Sequence, residues 1–96
     1  MSQLQRDLPP GLEKYRETSE FNEVSVPAGL LRDHSTASGV WGLLVVAEGS
    51  LNYTRSGFSA SKVTPESPAV IFPEEKHHIT CAGPVRFKVE FYRTPR

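Results

Sequence analysis

The residues of this 96-residue chain that could bind a metal ion are its three histidines, one glutamate and its single cysteine. Imidazole is the commonest metal ligand in proteins and titrates near neutral pH. His34 precedes a long apolar run, whereas His77 and His78 are adjacent and follow a proline-led acidic turn. Glu90 lies within the last apolar segment, where a carboxylate could act as a ligand or a general base. Cys81 could supply a soft ligand beside His77.

Strand parity separates the two adjacent histidines. Successive side chains of a strand point to opposite faces, so His77 and His78 cannot both enter one interior. His77 shares its face with Ile79 and Cys81, which is the more apolar set. We therefore expect His77 to point inward and His78 to point outward with Thr80.

Each of these residues also has an ordinary structural explanation. The histidines could all be polar surface residues, and Glu90 shares a strand face with Arg86 and Lys88, which favours surface ion pairs. A lone cysteine is more often a small buried hydrophobe than a ligand. The sequence contains no recognisable nucleophilic triad, glycine-rich phosphate loop or paired-cysteine motif. It indicates only a candidate site of histidine and carboxylate.

Short strands must position these residues. Eight prolines and seven glycines divide the chain into segments of about 5–10 residues, which are too short for ordinary helices. Residues 85–92 alternate apolar and polar, and residues 40–47 are almost continuously apolar. Further strands are predicted over 23–26 and 30–32, and residues 12–16 offer the most plausible helical turn. About eight short strands favour an all-β sandwich, jelly roll or small barrel.

Composition limits the partners and the location of the protein. Eleven basic residues balance eleven acidic ones, and a net charge of zero argues against nucleic acid or an anionic membrane as a partner. One cysteine cannot form an internal disulfide, which fits a reducing compartment. No apolar run approaches the roughly 20 residues of a membrane helix, and the N-terminus has no signal-peptide pattern. We expect a small, soluble, cytoplasmic protein.

The apolar run over 40–47 predicts a homodimer. Residues 1–13 are interpreted as an N-terminal arm and residues 14–96 as one β-barrel domain. A barrel has one interior, so only one face of the run can enter it. We predict that a second copy buries the other face, through a sheet face or an exchanged N-terminal strand. The alternative is a monomer in which residues 12–21 cover that face. The two faces carry Trp41, Leu43 and Val45 on one side and Val40, Leu44 and Val46 on the other.

Two stretches resemble a known family. One runs over 27–36 (PAGLLRDHST) into 39–42 and 48–53, and the other runs over 72–79 (FPEEKHHI) into 83–87 and 89–92. Together they resemble the small cupin-like family of tellurite-resistance-associated proteins, the TehB/YeaR-like domain. The resemblance extends from about Leu8 to Arg93 and keeps the motifs in the family's order.

The resemblance implies a cupin-like double-stranded β-helix, or jelly roll, whose barrel often holds a divalent metal ion. Gly49 and Pro73 stand at the landmarks of the two cupin motifs. The first motif departs from the usual form, because His34 lacks the second histidine of an HxH pair and Gly42 occupies the slot of the usual glutamate. His77 matches the histidine of the second motif.

By this resemblance His34, His77 and Glu90 are the predicted ligands of one divalent metal ion, with His78 and Cys81 as weaker candidates. Two imidazoles and a carboxylate suit zinc, and also Fe, Mn or Ni. The leading hypothesis is a metal-binding, stress-response protein. The missing motif residues favour a second hypothesis, a metal-free module that binds a small molecule or an oxyanion. A metal-dependent oxygenase-type enzyme is the third, by cupin analogy alone.

Overall fold

The computed structural model describes residues 7–95, and within them the chain forms eight strands and one short 3-10 helix. The helix spans Ala28–Leu31. All strand pairs are antiparallel, so the all-β prediction is confirmed. The strands are β1 (Glu13–Glu17), β2 (Phe21–Asn22), β3 (Trp41–Gly49), β4 (Leu51–Arg55), β5 (Ser61–Val63), β6 (Ala69–Ile71), β7 (His77–Thr80) and β8 (Val85–Arg93).

Two sheets share one core. The first sheet has the order β1-β8-β3-β6, with β2 also paired to β8, and the second has the order β5-β4-β7. Both sheets contribute buried side chains to a single apolar cluster, which makes this part of the chain one domain. The buried members are Leu44, Val46, Leu51, Tyr53, Val63, Ala69, Ile71, Ile79, Val85, Phe87 and Val89.

The long strands β3 and β8 follow their sequence pattern. In β8 the residues Val85, Phe87 and Val89 are buried, and the intervening residues face away from the core. In β3 the residues Leu44 and Val46 are buried in the core. The other apolar set of β3 is only half-buried, so it occupies the outer face of the first sheet.

The prediction of a strand over 23–26 is wrong, because Asn22 accepts hydrogen bonds from the backbone amides of this segment. Its side-chain oxygen accepts hydrogen bonds from the amides of Val24 and Ser25, both at 2.8 Å. Its backbone oxygen accepts a third hydrogen bond from the amide of Val26 at 3.0 Å. Such a turn offers the amides a local partner in place of a sheet, and β2 therefore ends at Asn22.

Two other local predictions also differ from the structure. Residues 12–16 form no helical turn, because residues 13–16 belong to β1 and the edge of β8 supplies partners for their backbone groups. Residues 30–31 belong to the 3-10 helix, so the strand predicted over 30–32 is absent.

Residues 1–6 of the predicted N-terminal arm lie outside the described residues, and the boundary at residue 13 stays a prediction. Between residues 7 and 95, no helix has the length and apolar character needed to cross a bilayer.

Gly49 forms the corner at which the chain passes from the first sheet to the second. It ends β3, lies opposite Val85, and adopts a φ of +80° that favours glycine. A Cβ atom at this position would overlap the carbonyl oxygen of Pro84. The close approach of the two backbones therefore requires a residue without a side chain.

We expect Gly49→Ala to destabilise the fold more than Gly57→Ala. Gly57 has a similar φ of +87°, but a Cβ atom there would meet no atom within 4 Å. Backbone strain should cost each variant about 1 kcal/mol, and overlap with the Pro84 carbonyl should cost Gly49→Ala about 2 kcal/mol more. Urea unfolding measures both variants, and equal losses of stability would contradict the steric argument.

Candidate functional site

A half-open pocket of about 330 Å³ lies where β1 and β8 meet the segment after the 3-10 helix. Its walls are mainly apolar, with two histidines, an arginine and several hydroxyl-bearing residues among them. The lining residues are Tyr15, Arg16, Thr18, Leu30, His34, Ser35, Thr36, Ala37, Val40, Ile71, His77, Val89 and Phe91.

A backbone bridge brings His34 and His77 together. The amide of each residue donates a hydrogen bond to the carbonyl oxygen of the other, and both bonds measure 2.9 Å. Directly paired residues of antiparallel strands place their side chains on the same face. The two imidazole rings accordingly meet edge to face with their centroids 4.2 Å apart. The structure thus brings these two predicted site residues together.

The same register explains why His78 lies outside the pocket. Asp33 and His78 flank the bridge and point to the opposite face, where His78 Nδ1 lies 2.9 Å from Asp33 Oδ1. His78 is thereby directed away from the pocket, as strand parity predicts.

Backbone carbonyls fix the tautomer of both pocket histidines. Nδ1 of His34 lies 2.9 Å from the carbonyl oxygen of Arg32, and Nδ1 of His77 lies 2.8 Å from that of Glu75. A carbonyl oxygen can only accept, so each Nδ1 must carry the proton. In the neutral ring the lone pair then resides on Nε2, which is free to accept a hydrogen bond or to bind a metal ion.

Burial disfavours the charged form of the His77 imidazole. The residue is 2% exposed, and burial lowers the pKa of its imidazole, although the bond to the Glu75 carbonyl opposes this shift. The ring of Tyr53 lies beside it, with centroids 5.5 Å apart. The Tyr53 hydroxyl is buried without a hydrogen-bond partner among residues 7–95, and burial raises its pKa, so it stays protonated.

An ion pair holds the loop that precedes His77. Arg55 Nε and Nη2 donate to the two carboxylate oxygens of Glu75 at 2.7 and 2.9 Å. The Arg55 guanidinium also lies over the rings of Phe58 and Phe72, at 4.4 and 4.8 Å from their centroids. This two-point contact with Glu75 fixes the residue whose carbonyl sets the tautomer of His77.

Glu90 does not join the two histidines. It alternates with Val89 and Phe91, which line the pocket, and so it faces the outer side of the sheet. There its carboxylate accepts a hydrogen bond from the Tyr92 hydroxyl at 2.9 Å and lies 3.3 Å from Lys88 Nζ. This ion pair is the ordinary explanation of Glu90 that the sequence offered as the alternative to a metal ligand.

Cys81 packs half-buried against the core, and burial raises the pKa of its thiol, which disfavours the metal-binding thiolate. Among residues 7–95 there is no group of three or more His, Cys, Asp or Glu side chains that could hold a metal ion. Of the three residues predicted as ligands, the structure brings His34 and His77 together and places Glu90 on the other face of the sheet.

Sequence reasoning missed the contribution of β1 to the pocket. Tyr15 and Arg16 line its mouth, although all five residues of β1 are exposed and show no apolar alternation. The only sequence signal would have been a basic and an aromatic residue side by side, which is common on any protein surface.

Comparison with known proteins places this architecture. The family model described as the TehB-like domain matches residues 16–89. A crystal structure of a protein from Escherichia coli K12 aligns with a TM-score of 0.84 at 23% identity, covering 94% of this chain and 98% of that one. The crystal structure of TehB from Haemophilus influenzae aligns with a TM-score of 0.79 at 24% identity, covering 88% of this chain and 32% of that one. No curated protein matches the chain. At these identities the two structures show a shared fold.

Acidification is expected to destabilise the protein through His77. The unfolded chain takes up a proton on this imidazole below about pH 6.5, whereas burial delays uptake in the folded chain to lower pH. The free energy of unfolding should therefore rise with pH between the folded and the unfolded pKa, by up to about 1.4 kcal/mol per pH unit, and then level off. Urea unfolding of EDTA-treated protein from about pH 5 to 8 measures this slope.

His77→Gln should flatten that pH dependence, because the variant has no imidazole to titrate at this position. The control is His78→Gln, which removes a histidine from the opposite face and should retain the slope. A His77→Gln protein with the full slope of the parent would contradict the assignment.

Proposed function

This chain belongs to the TehB-like domain family, which is associated with tellurite resistance, and we propose that the domain binds a small molecule carrying hydrogen-bond donors. One observation carries the proposal. Both pocket histidines donate Nδ1–H to backbone carbonyls, which leaves two Nε2 lone pairs for a ligand. A hydroxyl or amino group is the natural complement of such an acceptor.

The remaining walls suit a small ligand. The volume of about 330 Å³ lies at the lower end of the range for ligand pockets, which fits a small organic acid or a hydrated oxyanion. Apolar side chains from β6 and β8, such as Ile71 and Val89, exclude water from part of the pocket wall. Hydrogen bonds to the histidines would be strengthened by these surroundings.

A divalent metal ion is the second candidate occupant, and the anchored Nδ1 atoms favour it. Metal-binding histidines typically donate their other N–H to a carbonyl or a carboxylate, as His34 and His77 do here. These two residues would hold the ion, and water or a bound molecule would fill the positions that Glu90 does not reach. Zinc, Fe, Mn and Ni all accept imidazole, and the ion would supply Lewis acidity. An oxygenase-type activity would require such an ion first.

We also propose that the sheets follow the cupin-like jelly roll implied by the family resemblance. Two antiparallel sheets around one core, with a crossing between them at Gly49, support this winding. A cytoplasmic location and a role in stress response stay predictions.

Replacing His34 by phenylalanine should weaken ligand binding by at least about tenfold, because the ring contact with His77 is kept while the Nε2 acceptor is lost. Glycolate, which carries a hydroxyl group, and tellurite, which carries one in its singly protonated form, serve as probes on EDTA-treated protein. Histidine side-chain NMR should show Nδ1-protonated rings for His34 and His77, and both Nε2 signals should shift on binding.

His78→Gln is the control and should bind as the parent does. Unchanged affinity in His34→Phe, or the absence of a shift at either pocket histidine with every probe, would overturn the proposal. Titration with Zn²⁺, Fe²⁺, Mn²⁺ and Ni²⁺ tests the second candidate in the same spectra.

The homodimer remains a proposal with its own test. The outer face of β3 presents half-buried Trp41, Leu43 and Val45, next to Lys88 and Glu90 of β8. An apolar row bordered by both charge signs can be complementary to a second copy of itself. Light scattering coupled to gel filtration should give about twice the 10.7 kDa of one chain.

Leu43→Lys should return the protein to a monomer, since the new ammonium group would lie opposite Glu90 within its own sheet and would repel an apolar partner. A mass of one chain for the parent across a dilution series would refute the dimer.

A further inference from the structure

We propose that Arg16 selects an anionic group on the ligand, so that the pocket takes a hydroxy acid or a partly protonated oxyanion. This inference rests on the proposed function, in which the two histidines accept hydrogen bonds from the same ligand. It adds a charge requirement that the histidines alone do not impose.

A β-bulge directs Arg16 to the pocket. In the pairing of β1 with β8, Lys14 lies opposite Tyr92 and Arg16 lies opposite Phe91, which leaves Tyr15 as an extra residue. Consecutive residues of a regular strand would point to opposite faces, but both Tyr15 and Arg16 line the pocket. The bulge therefore adds a second side chain to the mouth, and re-aiming a side chain is a common effect of a bulge near a site.

Stacking holds the Arg16 guanidinium without using its hydrogen-bond donors. Its central carbon lies 5.0 Å from the centroid of the Phe91 ring. The adjacent Tyr15 is held in the same manner, under the guanidinium of Arg93 at 4.1 Å. A stacked guanidinium keeps its planar fork of N–H groups available for a carboxylate or another oxyanion.

Ion pairing distinguishes Arg16 from the two neighbouring lysines. Lys14 bonds to Glu17, and Lys88 bonds to both Glu17 and Glu90. Between residues 7 and 95, no carboxylate forms an ion pair with Arg16. The bulge thus places Arg16 on the pocket side of the sheet, whereas carboxylates on the outer face neutralise Lys14 and Lys88.

The pocket leaves this charge uncompensated. The lining residues that the structure describes include no aspartate or glutamate. An anion at the mouth would meet a guanidinium that no lining carboxylate neutralises, beside apolar walls that partly exclude water. A ligand that bears both an anionic group and a hydroxyl would satisfy Arg16 and the histidines together.

Glycolate and glycolamide test this requirement, because they share a hydroxyl and differ in the charge of the second group. EDTA-treated protein is titrated with each probe while the NMR signals of His34 and His77 are followed. The parent should bind glycolate at least about tenfold more tightly than glycolamide. Arg16→Gln should lose that preference, and Arg16→Lys should keep part of it, since lysine retains the charge without the fork.

Lys62→Gln removes one positive charge from an exposed position on the second sheet and should leave the preference intact. Equal binding of the two probes by the parent, or an unchanged preference in Arg16→Gln, would overturn the role of Arg16 and leave the histidine pocket standing. If neither probe, nor tellurite, shifts the signals of His34 and His77, the proposed function itself fails, and this inference fails with it.

Discussion

The site depends on one pair of backbone hydrogen bonds, those between His34 and His77. They join the segment after the 3-10 helix to the start of β7, and their register decides which side chains face inward. Since paired residues share a face, the bridge brings two imidazoles to the pocket and sends Asp33 and His78 to the other side. A shift of one residue would pair His34 with His78 or Asp33 with His77, and it would thereby separate the two imidazoles.

Rigid surroundings maintain this register. The loop before His77 is held by the contact between Arg55 and Glu75, and the amide of Glu74 donates to the carbonyl of Thr36 at 3.1 Å. The pocket is therefore bounded by fixed backbone on the side of the histidines. The opposite rim is different, because β1 is an exposed edge strand that carries the bulge.

Much of the fold could be predicted because burial leaves a pattern in the sequence. The alternation of β8 correctly indicated its inner face, and parity correctly separated His77 from His78. β1 could not be found in this way, since its five residues are exposed and leave no apolar period in the sequence. Glu90 shows the limit of resemblance: its own strand pattern placed it on the outer face with Lys88, and the structure agrees with the pattern.

The course of the main chain determines the tautomers of the two histidines. Their Nδ1 partners are the carbonyl oxygens of Arg32 and Glu75, and every amino acid has such an oxygen. The acceptors would persist through replacement of either side chain, provided that the loops kept their course. The Nδ1-protonated tautomers can thus be retained while most side chains around the pocket change. In a distant relative, such a pocket is recognised from the backbone geometry around two histidines.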